Sequence, residues 1–160
     1  MMASLASLGS RLLGPASPDR PRLREAVSGR VVLVTGSSAG IGRRLALELG
    51  QAGAEVLLVA RSEEGLRSTA EEIASRGGTA YVHPADLGDV DDVGRLAEEV
   101  PIEHGAVDVL VNNAGLSIRR SLALSHDRLH DFQRTINVNY VGPLAPALAL
   151  HTPNGDTPIG

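Results

Sequence analysis

Short runs of β-branched and aliphatic residues alternate along the chain with longer stretches whose apolar residues recur every three or four positions. The short runs predict strands, and the spaced stretches predict helices with one apolar side. Because each run is almost continuously hydrophobic, we expect strands buried on both faces, as in a doubly wound α/β fold with a parallel sheet. The predicted strands are 31–35, 55–60, 79–83 and 107–111, and the predicted helices begin near Ile41, Glu63, Val90 and Asp127.

The same pattern divides the chain into three parts. Residues 1–29 mix Ser, Leu, Arg and Pro without a sustained period, and they predict a loosely ordered leader with one short helix. Residues 30–150 are the α/β domain, whose last helical stretch is interrupted at Pro143 and Pro146. Residues 151–160 are rich in turn-forming residues and predict an irregular tail.

Composition excludes several classes of function. The 160 residues are 42% hydrophobic with a net charge of -4, and no apolar run reaches the roughly 18 residues of a membrane span. The acidic balance and the three aromatic side chains disfavour nucleic-acid binding. Cysteine is absent and all 15 basic residues are arginine, so neither a thiol nor a lysine amine is available. We expect a cytoplasmic protein; an arginine- and serine-rich organelle-targeting leader is the alternative.

A glycine-rich turn joins the first predicted strand to the next helix, with the sequence Thr35-Gly36-Ser37-Ser38-Ala39-Gly40-Ile41-Gly42. In this position Gly36 allows a tight turn, Gly40 lets a diphosphate approach the backbone, and Gly42 lets helix and strand pack closely. Free amides at the helix start attract an anion. The turn therefore predicts a dinucleotide site; the alternative is a tight connection that binds nothing.

The end of the second predicted strand indicates which dinucleotide is bound. Arg61 lies about 20 residues after Gly42, where the adenosine ribose is expected, and no carboxylate stands there to accept hydrogen bonds from a ribose diol. A guanidinium can instead form charge-assisted bonds with a 2′-phosphate. NADP(H) is therefore favoured over NAD(H), unless Arg61 is only a solvated loop charge.

Three motifs in order make the chain resemble the short-chain dehydrogenase/reductase family. They are the glycine-rich turn, Asp86-Leu87 after the third strand, and Asn112-Asn113-Ala114-Gly115 after the fourth. The resemblance implies a Rossmann-type sheet and hydride transfer between a nicotinamide cofactor and a small-molecule carbonyl or alcohol. Many members associate through the last helix, so the resemblance also implies a homo-oligomer.

The resemblance assigns roles to individual positions. Asn139 matches the asparagine that helps to anchor a proton-relay water in the family, and Asn137 is the rival for that role. The Asp86 carboxylate would accept a hydrogen bond from the adenine amino group. The implied cofactor-binding residues are Gly36, Ser38, Ala39, Gly40, Ile41 and Gly42 at the diphosphate, Asp86 and Leu87 at the adenine, and Asn113, Ala114 and Gly115 at the ribose.

The match stops before the residues that perform the family's chemistry. Members polarise the carbonyl with a serine and transfer the proton through a tyrosine, whose pKa a nearby lysine lowers. Neither Tyr81, in the third strand, nor Tyr140, in the last helix, is followed by a lysine. We therefore expect a sheet truncated after the fourth strand and following helix, with Val109–Val111 as an exposed edge, and no catalysis. A non-catalytic nucleotide-binding or interaction module is the alternative.

The stretch Ser117-Ile118-Arg119-Arg120-Ser121 is similar to the fatty acyl-CoA reductase-like branch of the family. This resemblance implies that Arg119 and Arg120 would contact an acidic substrate such as an acyl-CoA phosphate. The alternative is that the two arginines are a solvated pair.

Histidine spacing gives one remote alternative. His126 and His130 lie four residues apart, as ligands in zinc hydrolases do. No third ligand is evident beyond His151, so no metal site is predicted. His83 and His104 are predicted to be isolated surface residues.

Overall fold

The structure is a computed structural model that describes residues 20–117 and 128–143. Its elements, in chain order, are α1 (Arg20–Val27), β1 (Val31–Thr35), α2 (Gly40–Gln51), β2 (Glu55–Ala60), α3 (Glu63–Ser75), β3 (Thr79–Pro84), α4 (Val90–His104), β4 (Val109–Val111) and α5 (Leu129–Ile136). Helix α5 continues into a π-helical turn, Asn137–Val141.

The four strands form one parallel sheet in the order β3-β2-β1-β4. The central strand β1 pairs with β2 in the register Val31↔Glu55, and with β4 in the register Val32↔Val109. The chain therefore builds outwards from β1 to β3 on one side and then crosses to β4 on the other. Such a reversal leaves a crevice at the carboxyl end of the central strands, where open α/β sheets bind ligands. The predicted doubly wound, Rossmann-type sheet is confirmed.

Alternate residues of the strands point to opposite faces, and each face has its own apolar core. One core joins Val32, Val34, Val56 and Leu58 to α2 and α3. The other joins Leu33, Leu57 and Val59 to α4. In β1 and β2, residues on both faces are fully buried, which explains why these two predicted strands are almost continuously hydrophobic. Their helix partners are Ala46, Leu47, Leu49, Leu66 and Ile73 in the first core and Val93, Leu96 and Val100 in the second.

Helix α1 lies inside the segment that was expected to be a loosely ordered leader containing one short helix. Val27 is buried, and Leu23 packs against the same core as α2 and α3. The amide of Gly29 donates to the carbonyl of Gly53, which joins the end of α1 to the turn after α2. The packed part of the chain therefore begins before residue 30.

The bounds of β1 and β2 and the start of α4 match the predicted ones. Strand β4 is shorter than predicted, because the Asp108 carboxylate accepts the amide hydrogen of Val31 at 2.8 Å in place of a strand carbonyl. Its three residues are half-buried and, among the described residues, pair only with β1. Strand β3 extends to Pro84, which an edge strand tolerates since the missing amide needs no ladder partner.

The last predicted helix, 127–150, is described only from Leu129 onwards, and residues 144–150 lie outside the described part. Within it, regular α-helix ends at Ile136 and the π-helical turn begins. The structure therefore departs from α-geometry before the prolines on which the prediction relied. Among the described residues, no helix combines the length and apolar character needed to cross a membrane.

Candidate functional site

A cleft of about 470 Å³ lies where the carboxyl ends of all four strands meet. That volume is within the range of small-molecule and cofactor sites. Each strand contributes residues at or just after its carboxyl end, and α5 with its π-helical turn closes one side. The lining residues are Gly36, Ser38, Ala60, Arg61, Ser62, Ala85, Asp86, Leu87, Ala114, Gly115, Leu116, Arg134 and Val138.

The glycine-rich turn packs against the loop after β4 more closely than any side chain would allow. Gly36 has a φ of +70°, and a Cβ there would lie 2.9 Å from Asn113 Nδ2 and from Ala114 Cα. A Cβ on Gly42 would lie 2.3 Å from the Gly36 carbonyl oxygen. The space beyond Gly40 is open for 4 Å. The turn thus combines tight internal packing with an exposed backbone at the point where the helix begins.

The first backbone amides of α2 receive no hydrogen bond from a capping side chain and lie beside this exposed turn. Its N-cap residue, Ala39, provides no side-chain hydrogen bond to the first amides of the helix. Ala39, Gly40 and Ile41 are exposed, and Ile41 retains 80% of its accessible surface. Ile41 is therefore not part of the apolar stripe of α2. The first amides of a helix are orphan donors, so an uncapped and accessible helix start suits an anionic ligand.

Thr35, which the sequence analysis did not select, fixes the loop after β4 to the end of β1. Its side chain is buried, with 1% exposure. The hydroxyl Oγ1 accepts hydrogen bonds from the amides of Asn113 and Ala114, both at 3.0 Å, and donates to the carbonyl of Val111 at 3.3 Å. The side-chain Nδ2 of Asn113 donates in turn to the backbone carbonyls of Thr35 and Gly36. Two walls of the cleft are therefore held together by polar bonds.

Asn139 extends this bonding to the last helix. Its Oδ1 accepts from the amide of Leu116 and its Nδ2 donates to the carbonyl of Leu116, both at 2.8 Å. Asn137, the rival in the sequence analysis, donates instead to the carbonyl of Gly88 at 3.2 Å. Both asparagines lie in the π-helical turn, a departure from α-geometry that is frequent at functional sites. The turn thus ties α5 to the loops after β3 and β4.

Asp86 lies at the end of β3 and already has two donors. Its Oδ1 accepts from the amide of Gly88 at 2.9 Å, and its Oδ2 accepts from Arg134 Nη2 at 2.6 Å. Burial alone would raise the pKa of Asp86, but these two bonds and the charges of Arg134 and Arg61 outweigh it and lower the pKa. Each carboxylate oxygen can accept a second hydrogen bond, so Asp86 stays available to a ligand as an anion.

Two guanidinium groups, those of Arg61 and Arg134, border the cleft. Arg61 follows β2 and is exposed, as a side chain that meets an anionic ligand must be. Arg134, on α5, was not among the predicted site residues. No sequence motif marks it, because its place depends on how α5 folds back over the ends of β3 and β4.

The predicted cofactor-binding residues fall into two groups. Those that line the cleft are Gly36, Ser38, Arg61, Asp86, Leu87, Ala114 and Gly115. Ala39, Gly40, Ile41, Gly42 and Asn113 belong to the adjoining turn and loop. The predicted relay residue Asn139 follows the lining residue Val138 in the sequence and does not itself line the cleft. Residues 118–121 and His126, on which two weaker interpretations depended, lie outside the described residues.

The prediction that His83 and His104 are isolated surface residues is wrong. His83 is 8% exposed, and its Nε2 lies 2.9 Å from Nε2 of His104. Burial, and then the neighbouring imidazole, lower the pKa of His83. The two residues meet because β3 and α4 pack against each other, which spacing along the chain does not show. His130, by contrast, is exposed and lies beside Asp131.

Comparison with known proteins adds independent findings. The family model described as short chain dehydrogenase matches residues 30–152. An uncharacterized oxidoreductase of Mycobacterium tuberculosis strain H37Rv is 51% identical over 123 residues, which are 75% of this chain and 36% of the relative. A fatty acyl-CoA reductase of Acinetobacter baylyi is 45% identical over 127 residues, 79% of this chain and 43% of the relative.

A solved structure agrees with these relatives. The crystal structure of a metagenomic short-chain oxidoreductase in complex with NADP superposes with a TM-score of 0.72 at 39% identity, and the match covers 78% of this chain and 56% of that one. The predicted likeness to fatty acyl-CoA reductases is confirmed by the Acinetobacter relative. The chain spans less than half the length of the two curated relatives.

Proposed function

Because the chain belongs to the short-chain dehydrogenase/reductase family, we propose that its described fold is the cofactor-binding part of an oxidoreductase, with NADP(H) as the cofactor. One observation carries the proposal: the uncapped start of α2, the open backbone at Gly40 and the exposed Arg61 surround the same end of the sheet. Backbone amides and a guanidinium are the groups that bind diphosphate and phosphate oxyanions.

The diphosphate would lie across the glycine-rich turn. The close packing at Gly36 and Gly42 fixes the shape of the turn, and the open surface at Gly40 leaves room for phosphate oxygens. Ser38 lines the cleft beside them. The turn is thus shaped for an anion that approaches the backbone directly.

The adenosine end would lie between the ends of β2 and β3. Arg61 would hold a 2′-phosphate, and Asp86, already an anion, would accept from the adenine amino group while Leu87 packs beside the ring. Arg134 would keep the Asp86 carboxylate oriented. The presence of NADP in the related metagenomic oxidoreductase supports this choice of cofactor.

The bound nicotinamide would supply or accept a hydride at a small-molecule carbonyl or alcohol, as in the family. The residues of this chain would hold the cofactor, with Asn113, Ala114 and Gly115 beside its ribose. Asn139, fixed to Leu116 through both ends of its carboxamide, still has one hydrogen and one lone pair available for the proposed relay water.

We expect the 160-residue chain alone to bind cofactor without turnover. It contains no lysine, and among its tyrosines Tyr81 lies in β3, outside the cleft lining, while Tyr140 is exposed in the π-helical turn. The runner-up is a non-catalytic nucleotide-binding or interaction module. Both functions predict that the isolated chain binds coenzyme without oxidising it, and turnover separates both of them from an active enzyme.

Helix α5 also supports the expectation of a homo-oligomer. Three large apolar residues recur along it every three or four positions, a fourth follows in the π-helical turn, and all are exposed: Leu129, Phe132, Ile136 and Tyr140. An apolar stripe of this kind is buried in most stable structures, and a second copy of the chain would cover it.

The test compares NADPH and NADH by isothermal titration calorimetry on the chain and on two variants. Arg61→Gln should weaken NADPH binding by about tenfold or more, the effect of losing a charge-assisted bond, and leave NADH binding nearly unchanged. Arg67→Gln is the matched control, since Arg67 is exposed on α3 and paired with Glu63. Equal loss of both coenzymes in Arg61→Gln would contradict the role of Arg61, and failure of the chain to bind either coenzyme would contradict the proposal itself.

Turnover is then measured as NADPH oxidation with aldehydes, ketones and long-chain acyl-CoA, the last chosen because of the fatty acyl-CoA reductase relative. We expect binding and no oxidation by the purified chain. Steady oxidation would show that the chain is an enzyme without the lysine that the family uses.

A further inference from the structure

A second cleft lies between the edge strand β3 and helix α4. Its volume is about 170 Å³, and its lining shares only Ala85 with the cofactor cleft. His83 on β3 and Glu99 and Glu103 on α4 line it. The proposed cofactor does not use any of these three residues, so their convergence needs a separate explanation.

Two residues that line this cleft, His83 and Glu103, come together with His104 beside it as three potential metal ligands. Nε2 of His83 lies 2.9 Å from Nε2 of His104, and the latter atom lies 3.5 Å from Oε2 of Glu103. One ligand atom from each of the three residues lies within 4.8 Å of the other two. We propose that His83, His104 and Glu103 bind one divalent first-row transition-metal ion, of which Zn²⁺ is the reference case.

The distances suit such an ion. Two imidazole nitrogens that each lie about 2.05 Å from a metal are about 2.9 Å apart at a right angle and about 3.3 Å apart at the tetrahedral angle. The 2.9 Å separation of the two Nε2 atoms therefore needs a change of at most a few tenths of an ångström. Imidazole and carboxylate together are a donor set that zinc commonly takes in proteins.

The two imidazoles are held in place by packing and by regular structure. His83 is fixed in β3 by its pairing with Val59, and His104 is the last residue of α4. The ring of Tyr81 lies 4.5 Å from the His104 ring, centroid to centroid, and the two histidine rings meet nearly edge to face at 88°. Fixed rings lose little freedom when a metal binds, which favours affinity.

Charge and access also favour a cation. The carboxylates of Glu103 and Glu99 both act electrostatically on His83. The His104 side chain is 9% exposed whereas that of Glu103 is 56% exposed, so the site is buried on the imidazole side and open on the carboxylate side. An ion could enter from solvent past Glu103, and Glu99, one helical turn earlier on α4, is placed to supply a further oxygen or to hold a bound water.

The competing explanation is a plain hydrogen bond between two neutral imidazoles, one donating and one accepting. That arrangement accounts for the 2.9 Å separation without involving Glu103 or Glu99. It also predicts no saturable metal binding, so the two explanations differ in a direct measurement.

The experiment uses the full chain without a histidine tag, stripped with a chelator and dialysed, and titrates it with zinc chloride by calorimetry. We expect one Zn²⁺ per chain, with affinity reduced at least tenfold in His83→Gln and in His104→Gln. His130→Gln, at an exposed histidine with a neighbouring carboxylate, is the matched control and should bind as the parent does. Absence of saturable binding, or binding that the two variants leave unchanged, would overturn the proposal.

Circular dichroism first establishes that each variant is folded. If either variant is unfolded, nuclear magnetic resonance of the parent chain with and without zinc replaces the comparison of variants. Zinc should shift the Nε2 signals of His83 and His104 and leave those of His130 in place. Unmoved Nε2 signals of His83 and His104 would overturn the proposal as firmly as an absence of binding.

Discussion

Replacing Thr35 with valine tests whether one buried hydroxyl fixes the geometry of the cofactor cleft. Valine has nearly the same shape as threonine, so the substitution removes the hydroxyl without creating a large cavity. It takes away the hydroxyl that accepts from the amides of Asn113 and Ala114, both at 3.0 Å, and that donates to the Val111 carbonyl.

The expected magnitude follows from the two amides. A buried donor left without a partner costs about 1–3 kcal/mol, and Asn113 and Ala114 are half-buried, so each should lie near the lower end of that range. The added apolar surface of valine offsets about 1 kcal/mol at most. Thr35→Val should therefore lower the free energy of unfolding by about 1–3 kcal/mol. Thr35→Ser, which keeps the hydroxyl and loses one methyl group, should lower it by about 1 kcal/mol or less.

Urea denaturation followed by far-ultraviolet circular dichroism measures the difference, because the chain has no tryptophan to report on unfolding. A second readout is NADPH affinity, which should fall several-fold in folded Thr35→Val as the loop after β4 loses its anchor. The reasoning is refuted if the valine variant is as stable as the serine variant and binds NADPH equally well.

Three further outcomes are expected. Gly42→Ala places a methyl group 2.3 Å from a backbone carbonyl and should lower the thermal midpoint, equivalent to about 1–3 kcal/mol, whereas Gly94→Ala, with open space around it on α4, should not. Arg134→Gln should raise the pKa of Asp86 towards its ordinary value. The lowered pKa stabilises the fold above that ordinary value, and this contribution is lost as the pH falls through the folded pKa, so the variant should be less stable than the parent near neutral pH, with the gap closing in acid unfolding curves. Ile136→Glu, on the exposed stripe of α5, should convert a dimer into a monomer in sedimentation velocity, and a parent chain that is already monomeric would contradict that expectation.

The sheet could be predicted from the sequence because its signals are local. Strands β1 and β2 are hydrophobic apart from Thr35 and Glu55 at their ends, and Gly36 follows the first while Arg61 follows the second. Ser62 marks the start of α3, where its hydroxyl accepts the amide hydrogen of Gly65. Residues that end elements through their own backbone preferences or side chains can be recognised without the tertiary structure.

The parts that could not be predicted depend on contacts between distant segments. The π-helical turn exists where Asn137 and Asn139 reach the loops after β3 and β4. Arg134 enters the cleft only because α5 crosses Asp86. The burial of His83 had a partial signal, since Tyr81 and His83 are two apart in a predicted strand and so share a face, but nothing in the chain pointed to His104 as its partner.

The polar bonds of the cleft give a physical basis for the proposal that this chain binds the cofactor without turnover. Thr35 joins β1 to the loop after β4, and Asn139 joins the same loop to the last helix. All of these bonds lie among the described residues, so the surface that would meet the cofactor is fixed before any substrate is bound. Proton transfer in the family requires a lysine, which the chain lacks. A preformed surface without the proton-transfer group should bind the reduced coenzyme and keep it reduced, and that combination distinguishes the proposed cofactor-binding part both from an active enzyme and from a domain that binds no nucleotide.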